Sequence, residues 1–261
     1  MDIKLWEGEI PFFNADAENP NCMKSFFIDT DKLLPCVVVL PGGGYRNRAR
    51  HEAEPIAEFF NSQGFHAVVV EYRVFPNRFP SGLSDVQRAI RIVRYNAEKW
   101  GIDPQRIVVC GFSAGGHLAA SSLLYPEVYP SQGDAIDKMP HLPNGAILCY
   151  PVISLISDLS NASSGINLLG EERYDEEKFL HSAERLVNDK TSPVFMFHTS
   201  DDNAVNVKNS LTFATALRDH GIPFELHVFP RGKHGVGLAN EYLDLGKWKF
   251  LAAEWIKKNI K

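Results

Sequence analysis

Residues 106–116 read RIVVCGFSAGG, in which the apolar run Ile107–Cys110 leads into Gly111-Phe112-Ser113-Ala114-Gly115. Small and apolar residues follow as far as Leu124, so this order predicts a strand, a tight turn and a helix. The glycines on either side of the serine are typical of such a turn, because a Cβ there would collide with the strand and the helix. The motif lies between a predicted strand and a predicted helix, which argues against a chance match. We therefore predict that Ser113 is a nucleophile.

A base and an acid for this serine follow later in the chain. The apolar run Pro193–His198 is followed by Asp201 and Asp202, and the alternating run Phe224–Phe229 is followed by His234. A histidine can take the proton of a serine hydroxyl, while a carboxylate on its other ring nitrogen holds the required tautomer. The chain order predicts His234 as the base, with either aspartate as its partner. A metal site on these acids is disfavoured, because no further ligand cluster accompanies them.

Donors for a developing oxyanion are predicted in a glycine-rich loop. The apolar run Cys36–Leu40 is followed by Pro41-Gly42-Gly43-Gly44-Tyr45, and consecutive glycines let backbone N–H groups face a ligand. The N–H of Ala114, at the start of the predicted helix, is a further donor. A phosphate-binding role for this loop is less favoured, because neither Gly-Lys-Ser/Thr nor G-x-G-x-x-G spacing is present.

The remaining periodicity predicts the architecture. Helical patterns alternate with apolar runs, for which we expect strands at 36–40, 65–72, 106–110, 145–150, 194–198 and 224–229. This alternation predicts an α/β fold with a mostly parallel central sheet and helices on both faces. The first 30 residues alternate less clearly and are expected to form antiparallel edge strands.

One of the helices carries several basic residues. Ser84-Asp85-Val86-Gln87 has the form of a capping box and predicts the helix start, after which apolar residues repeat at helical spacing up to Trp100. We expect Arg88, Arg91 and Arg94 on this helix to be solvated or paired structurally rather than to bind substrate.

The stretch from about 153 to 190 does not fit the strand and helix alternation. It contains a polar run, Ser160–Gly165, and a charged run, Glu171–Glu177. We expect a small cap insertion over the site, within a single domain that spans residues 1–261. A polar cap suits a short acyl group or a sugar, whereas the alternative is a surface excursion without substrate contact.

Composition limits the classes of partner. The chain has 261 residues, 44% of them hydrophobic, and a net charge of −5 with its lysines and arginines scattered. These properties predict one large core and argue against binding to nucleic acid or to an anionic membrane. The first residues lack the apolar core of a signal peptide, and three of the four cysteines lie in apolar runs, so we expect a cytoplasmic protein. A homodimer is left open.

Five segments together resemble a known family. They are Leu40–Tyr45, Trp100–Pro104, Gly111–His117, His198–Asp202 and His234–Leu238. The chain resembles α/β-hydrolase esterases of the acetyl esterase and acetylxylan-esterase-like group, which are related to the hormone-sensitive-lipase type. The resemblance covers nearly the whole chain from Cys36 onward. It implies an α/β-hydrolase fold, a small-molecule ester substrate and no cofactor.

The resemblance also implies roles for individual residues. It assigns Ser113, Asp202 and His234 to a catalytic triad, and the N–H groups of Gly43, Gly44 and Ala114 to an oxyanion hole. Asp202 is preferred over its neighbour because the acid of these esterases lies four residues beyond a strand-ending histidine, here His198, and three before a valine, here Val205. We expect Asp201 to serve the turn ahead of the next helix.

One position departs from the lipase-type relatives, which have histidine where this chain has Pro41. Because proline offers no side-chain donor, the loop needs another brace, for which Tyr45 is a candidate. Tyr45 and Arg46 are also candidate substrate contacts. His117, one helical turn beyond the serine, is expected to be a packed, hydrogen-bonded residue rather than the base.

These observations predict a serine esterase that acts on acetyl esters of small sugars or xylo-oligosaccharides. A serine peptidase acting on short peptides is an alternative, since the same three residues catalyse that reaction. A non-catalytic binding protein that keeps the hydrolase fold is a second alternative. Intact serine, histidine, aspartate and glycine positions argue against it.

Overall fold

The computed structural model describes residues 1–156, 159 and 162–261, and its centre is an eight-stranded sheet. The strand order is β1-β2-β4-β3-β5-β6-β7-β8. At one edge β1 pairs antiparallel with β2, and β2 pairs antiparallel with β4. The remaining neighbours run parallel. The strand bounds are β1 Asp2–Lys4, β2 Cys22–Phe26, β3 Leu34–Leu40, β4 His66–Val70, β5 Ile102–Phe112, β6 Gly145–Cys149, β7 Val194–Thr199 and β8 Phe224–Phe229. The predicted α/β architecture is confirmed, including the antiparallel edge.

Helices cover both faces of this sheet. They are α1 Glu54–Ser62, α2 Ser81–Tyr95, α3 Ala97–Trp100, α4 Ala114–Leu124, α5 Ala162–Leu169, α6 Glu171–Glu177, α7 Lys208–Asp219 and α8 Trp248–Asn259. One buried cluster joins α2, α4 and α7 to the sheet, and a second joins α1 and α8 to the opposite face. Among the described residues, no helix combines the length and apolar character that crossing a bilayer requires.

Strand β3 shows why this sequence forms a central strand. Val37 and Val39 belong to one buried cluster, whereas Cys36 and Val38 belong to the other, and all four are fully buried. Because successive side chains of a strand point to opposite faces, a continuous apolar run fits a parallel sheet covered on both sides.

One predicted helix start is wrong. Helix α2 begins at Ser81, so the predicted capping box at Ser84 lies inside the helix. The reason is Asp85, whose buried carboxylate accepts hydrogen bonds from the backbone and guanidinium of Arg73 and from the Trp6 indole.

The arginines of α2 are paired within the protein. Arg88 lies 3.2 Å from the Asp137 carboxylate, and Arg91 binds the Glu127 carboxylate. Arg94 donates to main-chain carbonyl groups, of which Pro104 is one. The expectation of structural pairing is confirmed.

The segment that follows β6 contains the two short helices α5 and α6 and a 3-10 turn, Ala183–Arg185. Asn167 of α5 donates to the carbonyl oxygen of Gly44 at 2.9 Å. This segment therefore touches the glycine-rich loop that follows β3. Four residues of the predicted insertion lie outside the described residues, namely Ser157, Asp158, Ser160 and Asn161. The last two also belong to its polar run.

Candidate active site

Ser113 stands between β5 and α4 in a strained backbone conformation, with φ +52. A Cβ added to Gly111 would lie 2.1 Å from the Gly115 carbonyl oxygen, and one on Gly115 would lie 2.3 Å from the Leu40 carbonyl oxygen. Only glycine fits at these two places, which explains the G-x-S-x-G spacing. The Ser113 N–H donates to the carbonyl of Cys149 at the end of β6, at 3.0 Å. The turn is therefore fixed by two neighbouring strands and by its own glycines.

His234 reaches this serine from the loop after β8. Its Nε2 lies 2.8 Å from Ser113 Oγ, and its Nδ1 lies 2.7 Å from Asp202 Oδ2. Because an ionised carboxylate only accepts hydrogen bonds, Nδ1 carries the proton and Nε2 is free to accept the serine hydroxyl. The structure thus brings together the three residues that the sequence singled out.

Asp202 is held as an anion. Burial would raise the pKa of its carboxyl group, but hydrogen bonds from His198, His234 and the Val205 N–H outweigh burial and hold that pKa well below its usual range. Its Oδ1 accepts the N–H groups of Ala204 and Val205, each at 2.9 Å. Asp202 thus orients His234 with one oxygen and closes the turn beyond β7 with the other.

Asp201 does not make the turn that was expected of it, since Asp202 makes that turn itself. The Asp201 carboxylate instead accepts the N–H of Gly232 at 2.9 Å. This bond joins the loop after β7 to the loop that carries His234. The expectation failed because local capping preferences cannot show that one carboxylate is able to serve a turn and a histidine together.

Two other histidines near the site have structural partners, as expected. His117 Nε2 lies 2.8 Å from the carbonyl oxygen of His181, and its Nδ1 lies 2.8 Å from the Tyr45 hydroxyl. Burial lowers the pKa of His117 to about 4. His198 is buried between Ser210 and the Val205 carbonyl, with Nε2 3.4 Å from Asp202 Oδ2. Among the described residues, neither imidazole bonds to Ser113, and both support the residues around it.

The glycine-rich loop turns back on itself beside Ser113. Gly43 and Gly44 have φ +129 and +64, and the Gly43 carbonyl accepts the N–H groups of Arg46 and Asn47. Within the described part of the chain, the N–H groups of Gly43, Gly44 and Ala114 donate to no other group. Unpaired backbone donors beside a serine are suited to bind a negatively charged oxygen.

Tyr45 acts as a brace in this loop. Its side chain is buried, its hydroxyl binds His117, and its carbonyl accepts the N–H of Phe75 at 2.7 Å. These contacts favour the bracing role over direct contact with a substrate. Arg46 is exposed, and its guanidinium lies 5.8 Å from the centre of the Phe75 ring.

Sequence reasoning missed Glu52 and Tyr150. Glu52 ends a 3-10 turn, Arg50–Glu52, and its carboxylate accepts the Gly42 N–H at 2.8 Å and the Tyr150 hydroxyl at 2.7 Å. The Tyr150 ring lies edge-on to the imidazole of His234, with the ring centres 5.0 Å apart. Neither residue belongs to a recognisable motif. An acid just before helix α1 is read from sequence as an ordinary first-turn residue.

The other reactive side chains offer no second site in the described chain. Cys36, Cys110 and Cys149 are buried and Cys22 is half-buried, and all four are free thiols. Burial raises the pKa of the Cys36 thiol. In the part of the chain that the structure covers, no group of three or more His, Cys, Asp or Glu side chains is arranged to hold a metal ion.

Comparisons with known proteins place this site in a family. Residues 28–217 match the family model BD-FAE. The chain is 43% identical to a solved acetyl ester-xyloside bifunctional hydrolase from Caldicellulosiruptor lactoaceticus, with a TM-score of 0.93 over 98% of this chain and 95% of that one.

Two curated relatives are longer proteins. The chain is 39% identical over 244 residues to endo-1,4-beta-xylanase B of Butyrivibrio fibrisolvens, which covers 91% of this chain and 38% of the relative. It is 34% identical over 226 residues to an acetylxylan esterase of Xylanibacter ruminicola, which covers 81% of this chain and 44% of the relative. The chain thus spans less than half the length of either. Its matched family model and its fold make it a member of the BD-FAE family and an acetylxylan esterase-like α/β-hydrolase.

Proposed function

We propose that this chain is a serine carboxylic ester hydrolase that removes short acyl groups, chiefly acetyl, through an acyl-enzyme. The observation that carries the proposal is the chain of two hydrogen bonds, 2.8 and 2.7 Å long, from Ser113 through His234 to Asp202. The N–H groups of Gly43, Gly44 and Ala114, which are unpaired within the described chain, support it, because acyl transfer needs donors where negative charge develops.

In the first half of the reaction, Ser113 Oγ attacks the carbonyl carbon of the ester while His234 Nε2 takes the hydroxyl proton. The carbonyl oxygen becomes an oxyanion and receives hydrogen bonds from the three backbone N–H groups. Collapse of this intermediate breaks the bond to the alcohol oxygen, and His234 returns the proton to that oxygen. Asp202, which remains ionised, stabilises the imidazolium that exists in between.

In the second half, water replaces the alcohol. His234 removes a proton from the water as its oxygen attacks the acyl carbon, and the same backbone donors hold the second oxyanion. The bond to Ser113 Oγ then breaks, and His234 returns the proton to the serine. A carboxylic acid leaves, and the enzyme is restored without any change of oxidation state.

We propose acetyl esters of small sugars or xylo-oligosaccharides as the substrates. Two relatives, named an acetylxylan esterase and an acetyl ester-xyloside bifunctional hydrolase, support this class. Both curated relatives are more than twice as long as the part of them that matches this chain. We therefore propose this substrate class for the chain, and not the whole activity of the relatives.

We also propose Arg46 as a substrate contact and the α5–α6 segment as a cap. Arg46 follows the oxyanion loop, and in the described structure its guanidinium has no ion-pair partner, so its donors are available to hydroxyl or carbonyl oxygens. Phe75, which is 37% exposed, offers an apolar surface beside it. Helix α5 touches the same loop through Asn167, and this contact supports a cap beside the proposed oxyanion donors.

The experiment is hydrolysis of p-nitrophenyl esters from acetate to decanoate near neutral pH, together with acetate release from acetylated xylo-oligosaccharides. We expect activity that falls steeply beyond butyrate and that drops by at least about 10⁴-fold in Ser113→Ala. Ser122→Ala is a matched control, because Ser122 is a buried serine of helix α4 whose hydroxyl, among the described residues, binds only the Ala119 carbonyl. It should stay close to the unchanged protein.

Equal rates in the unchanged protein and in Ser113→Ala would contradict the proposal. Hydrolysis of short peptides in preference to esters would favour a peptidase. A protein that hydrolyses neither and resists serine-reactive fluorophosphonates would be a binding protein with a hydrolase fold.

A further inference from the structure

Glu52 is a buried acid in the loop segment between β3 and α1. It is 2% exposed, and its two carboxylate oxygens point in different directions. Oε2 accepts the N–H of Gly42, whereas Oε1 accepts the hydroxyl of Tyr150. One side chain thus holds the start of the oxyanion loop and the residue that follows β6.

Among the described residues, the Glu52 carboxyl group has no lysine or arginine partner. The imidazole of His51 lies near it, with Nε2 3.7 Å from Glu52 Oε1 on a side chain that is 59% exposed. Burying a carboxylate is unfavourable unless hydrogen bonds compensate, and an apolar residue would serve stability as well. A buried acid kept under these conditions suggests a role other than stability.

The partners of Glu52 extend to the loop that carries the base. Tyr150, which has an unusual φ of +37, accepts the Gly237 N–H at 2.9 Å on the same hydroxyl that donates to Glu52. The Tyr150 ring also lies against His234. The neighbouring His51 adds a second link, because its Nε2 lies 2.8 Å from the Gly235 carbonyl oxygen. Both bonds fix the backbone just beyond His234.

The link to the oxyanion loop is equally tight. A Cβ on Gly42 would lie 2.7 Å from Glu52 Oε2 and 2.8 Å from the Phe112 carbonyl oxygen. The loop therefore packs directly against the carboxylate, with no room for a side chain between them. Gly43 and Gly44, the proposed oxyanion donors, follow at once.

We propose that Glu52 is a positioning residue that sets the oxyanion donors and the base in register around Ser113. One oxygen places the loop that bears the Gly43 and Gly44 N–H groups, and the other, through Tyr150, places the loop that bears His234. This inference rests on the proposed esterase function. It predicts that the loss of this carboxylate weakens transition-state binding, while binding of the ground-state ester is little changed.

The test is Glu52→Gln, with kcat and KM for p-nitrophenyl acetate measured in parallel with inhibition by phenylboronic acid and by acetate. A boronic acid forms a tetrahedral adduct with the serine, whereas acetate resembles the product. Glutamine keeps the size but replaces one carboxylate oxygen with an NH₂ group. Either the Gly42 N–H then loses its acceptor, or the Tyr150 hydroxyl must turn from donor to acceptor, so one of the two bonds is lost or reversed. We expect kcat to fall by about 10²-fold, KM to change by less than about threefold, boronate inhibition to weaken in parallel with kcat, and acetate inhibition to remain.

Glu54→Gln is the matched control. Glu54 lies two residues further on and pairs at the surface with Lys24 at 2.7 Å, so its loss should leave all four constants unchanged. Tyr150→Phe is the second variant, because it removes only the hydroxyl that joins Glu52 to the His234 loop. It should lower kcat by about tenfold without raising KM.

Unchanged kcat and boronate affinity in folded Glu52→Gln would overturn the inference while leaving the esterase function intact. If Glu52→Gln does not fold, Tyr150→Phe decides, and an unaltered kcat in that variant would overturn the inference as well. Absence of hydrolysis in the unchanged protein, by contrast, would overturn the proposed function itself.

Discussion

Asp202 and His234 share a hydrogen bond of 2.7 Å between Oδ2 and Nδ1, and the same Oδ2 lies 3.4 Å from Nε2 of His198. One carboxylate oxygen therefore faces two imidazole rings. His198 is fixed by its bonds to Ser210 and to the Val205 carbonyl, whereas His234 has its remaining nitrogen on Ser113. The arrangement leaves His234 as the ring that can exchange a proton with the serine.

Asp202→Asn should lower kcat by about 10⁴-fold, because an amide that presents its NH₂ group to His234 favours the wrong tautomer. Asp201→Asn is the control, since among the described residues the Asp201 carboxylate accepts only the Gly232 N–H, at 2.9 Å. It should keep kcat within about tenfold. Steady-state kinetics of p-nitrophenyl acetate hydrolysis separates the two, and a larger loss in Asp201→Asn would reverse the assignment.

The two proposed oxyanion glycines should differ in their tolerance of alanine. A Cβ on Gly43 would lie 2.3 Å from the backbone oxygen of Asn47, whereas on Gly44 its nearest neighbour is Ser164 Oγ at 3.7 Å. Gly43→Ala must therefore distort the loop, and we expect kcat to fall by at least about 10²-fold. Gly44→Ala only strains a positive φ, by about 1 kcal/mol, and should retain most activity. Similar losses in both variants would show that the loop geometry is different.

Asn167 should couple the cap to the oxyanion loop, since its amide donates to the Gly44 carbonyl at 2.9 Å. Asn167→Asp places a carboxylate against that carbonyl and should repel it. We expect kcat to fall roughly tenfold while the half-buried position limits the loss of stability to about 1 kcal/mol. Kinetics and urea unfolding of the same samples test this. Activity equal to that of the unchanged protein would separate the cap from the reaction.

His117 should make stability depend on pH. Burial lowers its pKa from 6.5 to about 4, so the folded protein keeps it neutral while the unfolded chain binds a proton below about pH 6.5. Its contribution to stability is fully present above pH 6.5 and is lost as the pH falls toward 4. For the binding of one proton, the free energy of unfolding falls by about 2 kcal/mol between pH 6.5 and pH 5.

The measurement for this prediction is urea unfolding of the protein and of His117→Gln at pH 7 and pH 5. The variant should be less stable at pH 7, since it loses the bonds to Tyr45 and to the His181 carbonyl. The difference in the free energy of unfolding between the two proteins should be about 2 kcal/mol smaller at pH 5 than at pH 7, because glutamine does not titrate. If this difference is the same at both pH values, a group other than His117 causes the pH dependence.

The sheet and the candidate site residues could be predicted because their signals are local. Apolar runs end at Ser113, at the two aspartates and shortly before His234, and parallel strands bring their carboxyl ends to one edge. The choice between Asp201 and Asp202 needed the family resemblance. Periodicity alone could not show that Asp202 serves the turn and the histidine together.

The supporting residues could not be predicted because their roles arise only after folding. Glu52 and Tyr150 are 98 residues apart, and Asn167 and Gly44 are 123 apart. In the sequence, Ser84 and Asp85 resemble a helix cap. In the folded protein, the Asp85 carboxylate instead pairs with Arg73 in the core. In each case a long-range polar contact in the interior decides the outcome, and no sequence period encodes it.

Reaction with a fluorophosphonate, followed by intact mass and peptide mapping, tests the central claim most directly. We expect one adduct per chain on the peptide that contains Ser113, no adduct in Ser113→Ala, and labelling slowed by orders of magnitude in His234→Ala, because the base is needed to activate the hydroxyl. Labelling of another serine, or an equal rate in His234→Ala, would contradict the account of Ser113 as a nucleophile activated by His234.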